Sequence, residues 1–350
     1  MATTVSAAMI VRDEAARLPA GLASLVGRVD EIVVVDTGSQ DATASIAASF
    51  GAKVLHHPWT GDFAEARNVG LNAVSSDWVL YIDADETLRM PPGAALGERI
   101  EAAAPACFVS FCPRTGFTRY RELRCFRRDG SIRFQGRIHE TIIPSLLALS
   151  GHAVDSMPRI DVEIDHFGYD SPNQAKLRRN LPLLRQVIDE GGTRLFYWYD
   201  LAACLIGLGH VEEALQIARE GLSRIDAAPS GQDAAAASLL RQLLTGHALE
   251  NDPEAALAIS TSGLTQFAAD YTLLMMRGQA ALATGDAQTA INIATKLRTI
   301  DPLKLRYDVL AHDVRIFGEL ADELMVAALV ALGRLGEAAR YLAASPPKAG

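Results

Sequence analysis

An α/β domain built on a Rossmann-like mixed sheet, followed by an all-α array of helical hairpins, is the fold class this sequence predicts. Two patterns carry that prediction. Over the first 90 residues short apolar runs alternate with amphipathic stretches of period three to four, and beyond residue 194 one turn pattern recurs four times. Length agrees, since 350 residues exceed one typical compact domain. The expected divisions are 1–170 for the sheet domain, 171–193 for a connecting helix and 194–345 for the repeats.

"VSAAMIV" (5–11) reads as a strand, and Leu18, Leu22, Leu25 and Val29 then line one helix face. "EIVVVD" (31–36) is a β-branched run of the kind found in strands covered on both faces. "SQDATASIAASFG" supplies Ser39 or Asp41 as a helix N-cap, Ile46 and Phe50 on one face, and Gly51 as a stop. "AKVLHH" (52–57) is a strand, "DFAEARNVGLNAV" (62–74) a helix and "WVLYID" (78–83) a strand. This order implies a parallel sheet, whose ligands bind beyond the carboxyl ends of its strands. Asp36 and the acids Asp83, Asp85 and Glu86 all sit at such ends.

Between 106 and 143, "ACFVSFC", "ELRCFRR" and "IRFQGRIHETII" read as antiparallel strands, with "RRDG" as a turn. "HFGYDSPNQAK" is a loop; Leu177, Leu181, Leu184 and Ile188 then share a helix face, closed by Gly191 and Gly192. Further on, "GHVEEAL" (209–215), "NDPEAAL" (251–257), "GDAQTAI" (285–291) and "GRLGEAA" (333–339) each join two helical patterns, at intervals of 42, 34 and 48 residues. A short turn, a polar helix start and small alanines at the crossings match tetratricopeptide-type hairpins, the longer intervals carrying insertions such as "DAAPSGQDAAA". A plain helical bundle is the competing architecture.

Composition is that of a globular protein, 49% hydrophobic and 21% charged, and a net charge of −9 argues against nucleic acid as a partner. The basic stretch "RRDGSIRFQGR" (127–137) suits a small anion at most. Cys107, Cys112, Cys125 and Cys204 form no CxxC pair and no metal-ligand spacing, and read as thiols of a reducing compartment. No apolar run reaches 18 residues, and "MATTVSAAMIV" has no basic region ahead of its apolar run. The expectation is a cytoplasmic protein, with peripheral membrane contact if its acceptor is lipid-linked.

"WVLYIDADETL" (78–88) poses the functional question, because a buried strand runs straight into three acids. Two carboxylates about 4 Å apart repel by roughly 4 kcal/mol at an effective dielectric of 20. A solvated turn avoids that cost. So does a Mg²⁺ or Mn²⁺ ion shared with a nucleotide diphosphate, which needs only one or two carboxylates when phosphates complete its shell. "IDADET" also fits a haloacid-dehalogenase nucleophile motif, but such a strand comes first in the chain and needs a later GDxxxD acid pair; Gly285-Asp286 lacks the second acid. Dinucleotide binding and nucleotidyl transfer both want a glycine-rich turn after the first strand, where "RDEAARL" stands.

"MIVRDEAARL", "DEIVVVDTGSQDAT", "FGAKV", "DFAEARN" and "DWVLYIDADE" fall in the order and near the spacing of family 2 glycosyltransferases. "LRCFRR", "FQGRIHE" and "DHFGY" resemble the branch whose catalytic domain carries C-terminal tetratricopeptide repeats. The resemblance covers residues 5–190 closely and the repeats loosely. It implies a GT-A domain acting on a nucleotide-sugar, a UDP-sugar first, with Mn²⁺ or Mg²⁺. It places Val11, Arg12, Glu14, Asp36, Gly38, Asp41, Arg67 and Asp83 around the nucleotide, although the family often has Asn where Asp13 stands. It gives Asp83 to the ribose or metal and Asp85 to the metal bridging the diphosphate. Glu86 is then either a support for its neighbours or a charge at a helix N-terminus, and Asp62 a helix cap.

The resemblance also gives "GRIHE" the acceptor chemistry, with His139 as a metal or diphosphate ligand and Glu140 as the catalytic base. On a strand these two would point to opposite faces. The structural alternative pairs Glu140 with Arg137 or Arg124. His166 is a second candidate near the donor phosphates, and Arg127 or Arg128 are candidate phosphate contacts against a plain solvated flank. The implied reaction is inverting transfer of a sugar to a glycan, lipid-linked saccharide or protein, with the repeats holding a protein or peptide acceptor or a homodimer. The competing reading is an inactive transferase-like scaffold that binds proteins; closely spaced acids argue against it.

Overall fold

The computed structural model describes residues 3–101, 103–151, 153–167, 174–224, 231–306 and 308–344. The chain divides into two compact units. One takes in Met1–Thr115, Arg119–Asn173 and Arg306–Asp308, the other Gly116–Thr118, Gln174–Leu305 and Val309–Gly350.

The first unit opens with β1 (Val5–Val11), α1 (Leu18–Leu25), β2 (Glu31–Asp36), α2 (Thr43–Ser49), β3 (Lys53–His56), α3 (Phe63–Ala73) and β4 (Trp78–Tyr81). It continues with β5 (Glu86–Arg89), β6 (Ala106–Cys112), β7 (Tyr120–Arg127), α4 (Ile143–Ser150) and β8 (Arg159–His166). The eight strands form one sheet in the order β3-β2-β1-β4-β7-β6-β8-β5. β3, β2, β1 and β4 run parallel, as the alternation predicts, and β7 joins β4 antiparallel. Successive residues feed opposite faces: Met9, Val34 and Leu80 enter one apolar core, Ala8, Val33 and Val79 the other. The β-branched run of β2 is thus buried on both sides.

β4 and β5 are consecutive in the chain, yet three strands lie between them in the sheet. Four strand spacings of about 4.8 Å make roughly 19 Å in a flat sheet. Five residue steps reach at most about 18 Å when extended, and this link is not extended, because Glu86 N donates to Asp83 O at 3.1 Å. The sheet therefore curls strongly, and β4, β5 and β7 bring side chains into one hollow. α1 fastens the far strand: Ser24 Oγ accepts from Leu88 N at 2.9 Å.

Several local expectations are corrected. The strand expected over 78–83 ends at Tyr81, and "IRFQGRIHETII" is no strand. Gly136 (φ 101°) and His139 (φ 52°) turn its backbone, leaving an isolated Gln135–Thr141 bridge before α4. Pro144 sits in the first turn of α4, where its missing N–H costs nothing. Neither Ser39 nor Asp41 is the N-cap of α2; that position is Ala42. Asp41 instead accepts from Thr43 N at 2.9 Å, one residue too early for a cap bond. β5 and β8 are elements the sequence reading did not contain.

The second unit contains α5 (Gln174–Asp189), α6 (Phe196–Gly207), α7 (Val211–Ser223), α8 (Gly231–Asn251), α9 (Pro253–Gln266), α10 (Tyr271–Ala283), α11 (Ala287–Arg298), α12 (Glu319–Ala331) and α13 (Leu335–Ala344). The four recurring turns fall between α6 and α7, α8 and α9, α10 and α11, and α12 and α13. Asp252 and Asp286 cap α9 and α11 through Ala255 N and Thr289 N, each at 3.0 Å, and such caps contribute roughly 1 kcal/mol apiece. Ala214, Ala218, Ala256, Ala290 and Ala294 are fully buried at the helix crossings. The stretch 168–173 of the expected "HFGYDSPNQAK" loop and 226–230 of the "DAAPSGQDAAA" insertion lie outside the described residues; Gly231 onward is helical.

Candidate active site

The loops after β1 and β2 form one stitched wall. Asp36, 3% exposed, accepts through Oδ1 from Gly38 N at 2.9 Å and Ser39 N at 2.7 Å. Ser39 Oγ in turn accepts from Asp13 N at 3.0 Å, and Asp13 Oδ1 from Gln40 N at 2.6 Å. Thr43 Oγ1 accepts from Glu14 N at 2.8 Å, and Asp41 Oδ2 from Ala15 N at 3.1 Å. Asp13 (φ 54°) and Gly38 (φ 111°) supply the left-handed turns. Val11 pairs in register with Asp36, so the wall begins at the carboxyl ends of neighbouring strands. Burial raises the Glu14 carboxyl; its bond from Arg17 opposes this, while Asp85 and Asp41 add to it. Glu14 thus lies close enough to the acidic turn to feel its charge.

That turn, 82–85, is held from three directions. Glu86, 1% exposed at the start of β5, accepts from Arg124 Nη1 at 3.0 Å and Nη2 at 2.8 Å, and from Asp83 N at 2.8 Å. Arg124 lies over the rings of Tyr81 (4.6 Å) and Phe111 (4.9 Å), which fixes its fork. Burial pushes the Glu86 carboxyl up against the pull of Arg124, to about 7. The antiparallel register of β5 and β8 sets Glu86 opposite His166. His166 Nε2 stands 3.2 Å from Asp85 Oδ2, and Nδ1 lies 3.0 Å from Pro113 O. A carbonyl accepts only, so Nδ1 carries a proton and Nε2 faces the carboxylate. Burial works against both charges, but the mutual bond wins: His166 is raised and Asp85 lowered.

Arg67 is the third anchor, 9% exposed and stacked on Tyr81 (5.2 Å) and Phe134 (5.5 Å). Its Nη2 donates to Asp83 Oδ1 at 2.7 Å and its Nε to Glu140. Burial alone would raise the Asp83 carboxyl; the Arg67 guanidinium, then Arg124, outweigh it and hold it at about 2. The N-cap of α3 is Asp62, whose Oδ1 accepts from Glu65 N at 2.9 Å.

The structure thus gathers Val11, Arg12, Glu14, Asp36, Gly38 and Asp41 on one wall, and joins Arg67, Asp83 and Glu140 by ion pairs. Glu140 meets Arg67 rather than Arg137 or Arg124. The histidine whose ring meets Asp85 is His166, while His139 sits half-buried in the 135–141 loop. Glu86 opens a strand, not a helix, and supports Asp83. Arg127 and Arg128 lie at the opposite, amino end of β4: Arg127 pairs with Trp78 and Arg128 Nε donates to Ser76 O. The sequence reading underweighted His166 because it missed β8. Its signal was legible, since Ile160, Val162 and Ile164 alternate with Asp161, Glu163 and Asp165.

Residues 6–143, spanning the wall, the acidic turn and Glu140, match the family model for glycosyl transferase family 2. Over this stretch the chain is similar to family 2 glycosyltransferases. A TPR repeat-containing protein of Synechococcus elongatus is 45% identical over 148 residues, which is 41% of this chain and 37% of that protein. The glycosyltransferase SunS of Bacillus subtilis is 28% identical over 195 residues, covering 53% and 45%. The chain thus spans less than half the length of these relatives. Among solved structures, glucosyl-3-phosphoglycerate synthase of Mycobacterium tuberculosis, crystallised with Mn²⁺, UDP and glucosyl-3-phosphoglycerate, is similar at a TM-score of 0.39 and 17% identity, over 53% of this chain and 79% of that one. No described helix is long and apolar enough to cross a membrane.

Proposed function

We propose that the chain is a metal-dependent, inverting glycosyltransferase that takes its sugar from a nucleotide-diphosphate sugar, a UDP-sugar first. The observation that carries this reading is the pair Asp83 and Asp85 at the carboxyl end of β4, kept ionised by Arg67 and His166 and placed beside the β1–β2 wall. Asp83 and Asp85 offer hard oxygens, which suit Mn²⁺ or Mg²⁺, while His166 holds Asp85 from its other side. Among the described residues no three such side chains form a closed cage. That fits an ion whose remaining ligands come from phosphate and water; His139 is the further candidate from its loop. When bound, the metal would neutralise charge on the departing diphosphate.

The protein's own residues do the rest. Val11, Arg12, Glu14, Asp36, Gly38 and Asp41 hold the nucleoside, and Arg67 fixes Asp83 against them. Glu140 takes the proton of an acceptor hydroxyl or thiol as it attacks the anomeric carbon. The helical unit recruits a protein or peptide acceptor or holds a homodimer. Calorimetric titration with UDP in Mn²⁺ and in EDTA tests the donor half: binding that needs the metal supports it, and no binding of UDP or GDP in either condition sinks it. Asp85→Ala tests the acceptor half, since transfer should stop while acceptor peptide still binds.

A further inference from the structure

Resting on that reading, we infer that Asn68 is a positioning residue that sets the place of Glu140 without touching substrate. Phe134 is 3% exposed and lies outside every strand, so its backbone N–H and C=O need partners that no ladder supplies. Asn68 provides both: its Oδ1 accepts from Phe134 N at 2.9 Å, and its Nδ2 donates to Phe134 O at 3.0 Å. Only one orientation of the amide makes both bonds, so the side chain acts as a one-residue strand neighbour.

The next residue begins the loop that carries Glu140. Gln135 N donates to Thr141 O at 2.9 Å and Thr141 N to Gln135 O at 3.0 Å, closing a neck around 136–140. Phe63 N, in the first turn of α3, donates to Arg137 O at 2.9 Å within the loop. Arg67, one residue before Asn68, binds Glu140 itself. α3 therefore grips one loop at its foot, its crest and its carboxylate. Arg67 neutralises the acid, whereas Asn68 contributes only geometry, and a misplacement of about 1 Å at a reacting group costs on the order of a hundredfold in rate.

The test compares Asn68→Ala and Asn68→Asp, alone and in a Glu140→Gln background, using the UDP-hexose from which the wild-type chain releases UDP fastest in Mn²⁺ and following UDP release. Asp keeps the acceptor for Phe134 N–H but sets a carboxylate against the Phe134 carbonyl, in a side chain of unchanged size. Both variants should lower kcat about ten- to a hundredfold, with UDP affinity in Mn²⁺ unchanged within about twofold. In the Glu140→Gln background the same changes should cost less than about twofold, because residues acting through one group are not additive. Full turnover in both Asn68 variants beside a crippled Glu140→Gln overturns the role of Asn68 alone. So does an equal loss in the two backgrounds, or UDP affinity falling in step with kcat. Full turnover in Glu140→Gln overturns the base assignment and this role with it.

Discussion

Asp85 Oδ2 stands 3.2 Å from His166 Nε2, at the end of a strand that pairs β5 across the acidic turn. The histidine is raised above 6.5, so its contribution to stability is full below that value and fades as pH rises through the higher folded one. Asp85 is lowered from 3.8, so its contribution is present above that value and fades as pH falls through the lower one. The pair therefore stabilises most between these limits. His166→Gln should cost about 1.5–3 kcal/mol near pH 6, the worth of a charge-assisted bond, and less near pH 9. Urea unfolding at the two pH values decides it; an equal cost at both would mean a neutral ring.

Arg67 neutralises two acids from different parts of the chain, and its removal leaves both facing a desolvated centre. Breaking a buried pair costs about 3–5 kcal/mol, and the low end applies because the Asp83 side chain is 37% exposed. The sign with pH is specific. Asp83 is held at about 2, against 3.8 unperturbed, so its contribution exists above 3.8 and is lost as pH falls through about 2. Arg67→Met should therefore move acid unfolding to higher pH. An unchanged acid midpoint by circular dichroism would contradict the ion-pair account.

Local pattern made much of this legible and long-range pairing made the rest illegible. The run of β2, the face of α1 and the recurring turns near Asp252 and Asp286 are read from neighbours within a few residues. Asp36, Asp83 and Asp85 were legible because a parallel strand order sends its carboxyl ends to one edge. The partner of Glu140 was not, since Arg67 lies 73 residues away and nothing local prefers it to Arg137. The choice for Glu86 between a support and a helix N-terminal charge stayed open because its buried partner, Arg124, arrives on β7 across a sheet whose curl no local period encodes.

The Glu86–Arg124 pair separates charge from shape. Glu86→Gln keeps acceptors for Asp83 N and for one arm of Arg124. Burial already pushes the Glu86 carboxyl up to about 7, so losing its charge should be mild. Glu86→Ala leaves Arg124 buried with only Glu122, whose Oε2 stands 3.1 Å from Nη2, and should cost about 3 kcal/mol, the low end for breaking a buried pair. Because Glu86 is raised, what stability depends on its protonation is full below 4.5 and fades as pH rises through about 7, so Gln should gain on wild type at higher pH. Equal stability of the two variants in guanidinium unfolding would count against the assignment.

Two glycines should respond with opposite sign to the same change. Alanine in place of glycine within a helix gains about 1 kcal/mol where space allows. At Gly336 in α13 a Cβ would meet nothing within 4 Å, so Gly336→Ala should stabilise. At Gly21 in α1 a Cβ would stand 3.0 Å from Glu86 O and 3.3 Å from Ala84 O, backbone atoms of the acidic turn and β5 that cannot swing aside. Overpacking of this kind costs about 1–3 kcal/mol, which outweighs the helix gain. The displacement falls on the segment carrying Asp83 and Asp85, so Gly21→Ala should also weaken Mn²⁺-dependent UDP binding several-fold, while Gly336→Ala leaves it unchanged. Thermal melts and calorimetry on the two variants read both effects, and stabilisation by Gly21→Ala with intact UDP binding would show that α1 does not set the position of the turn.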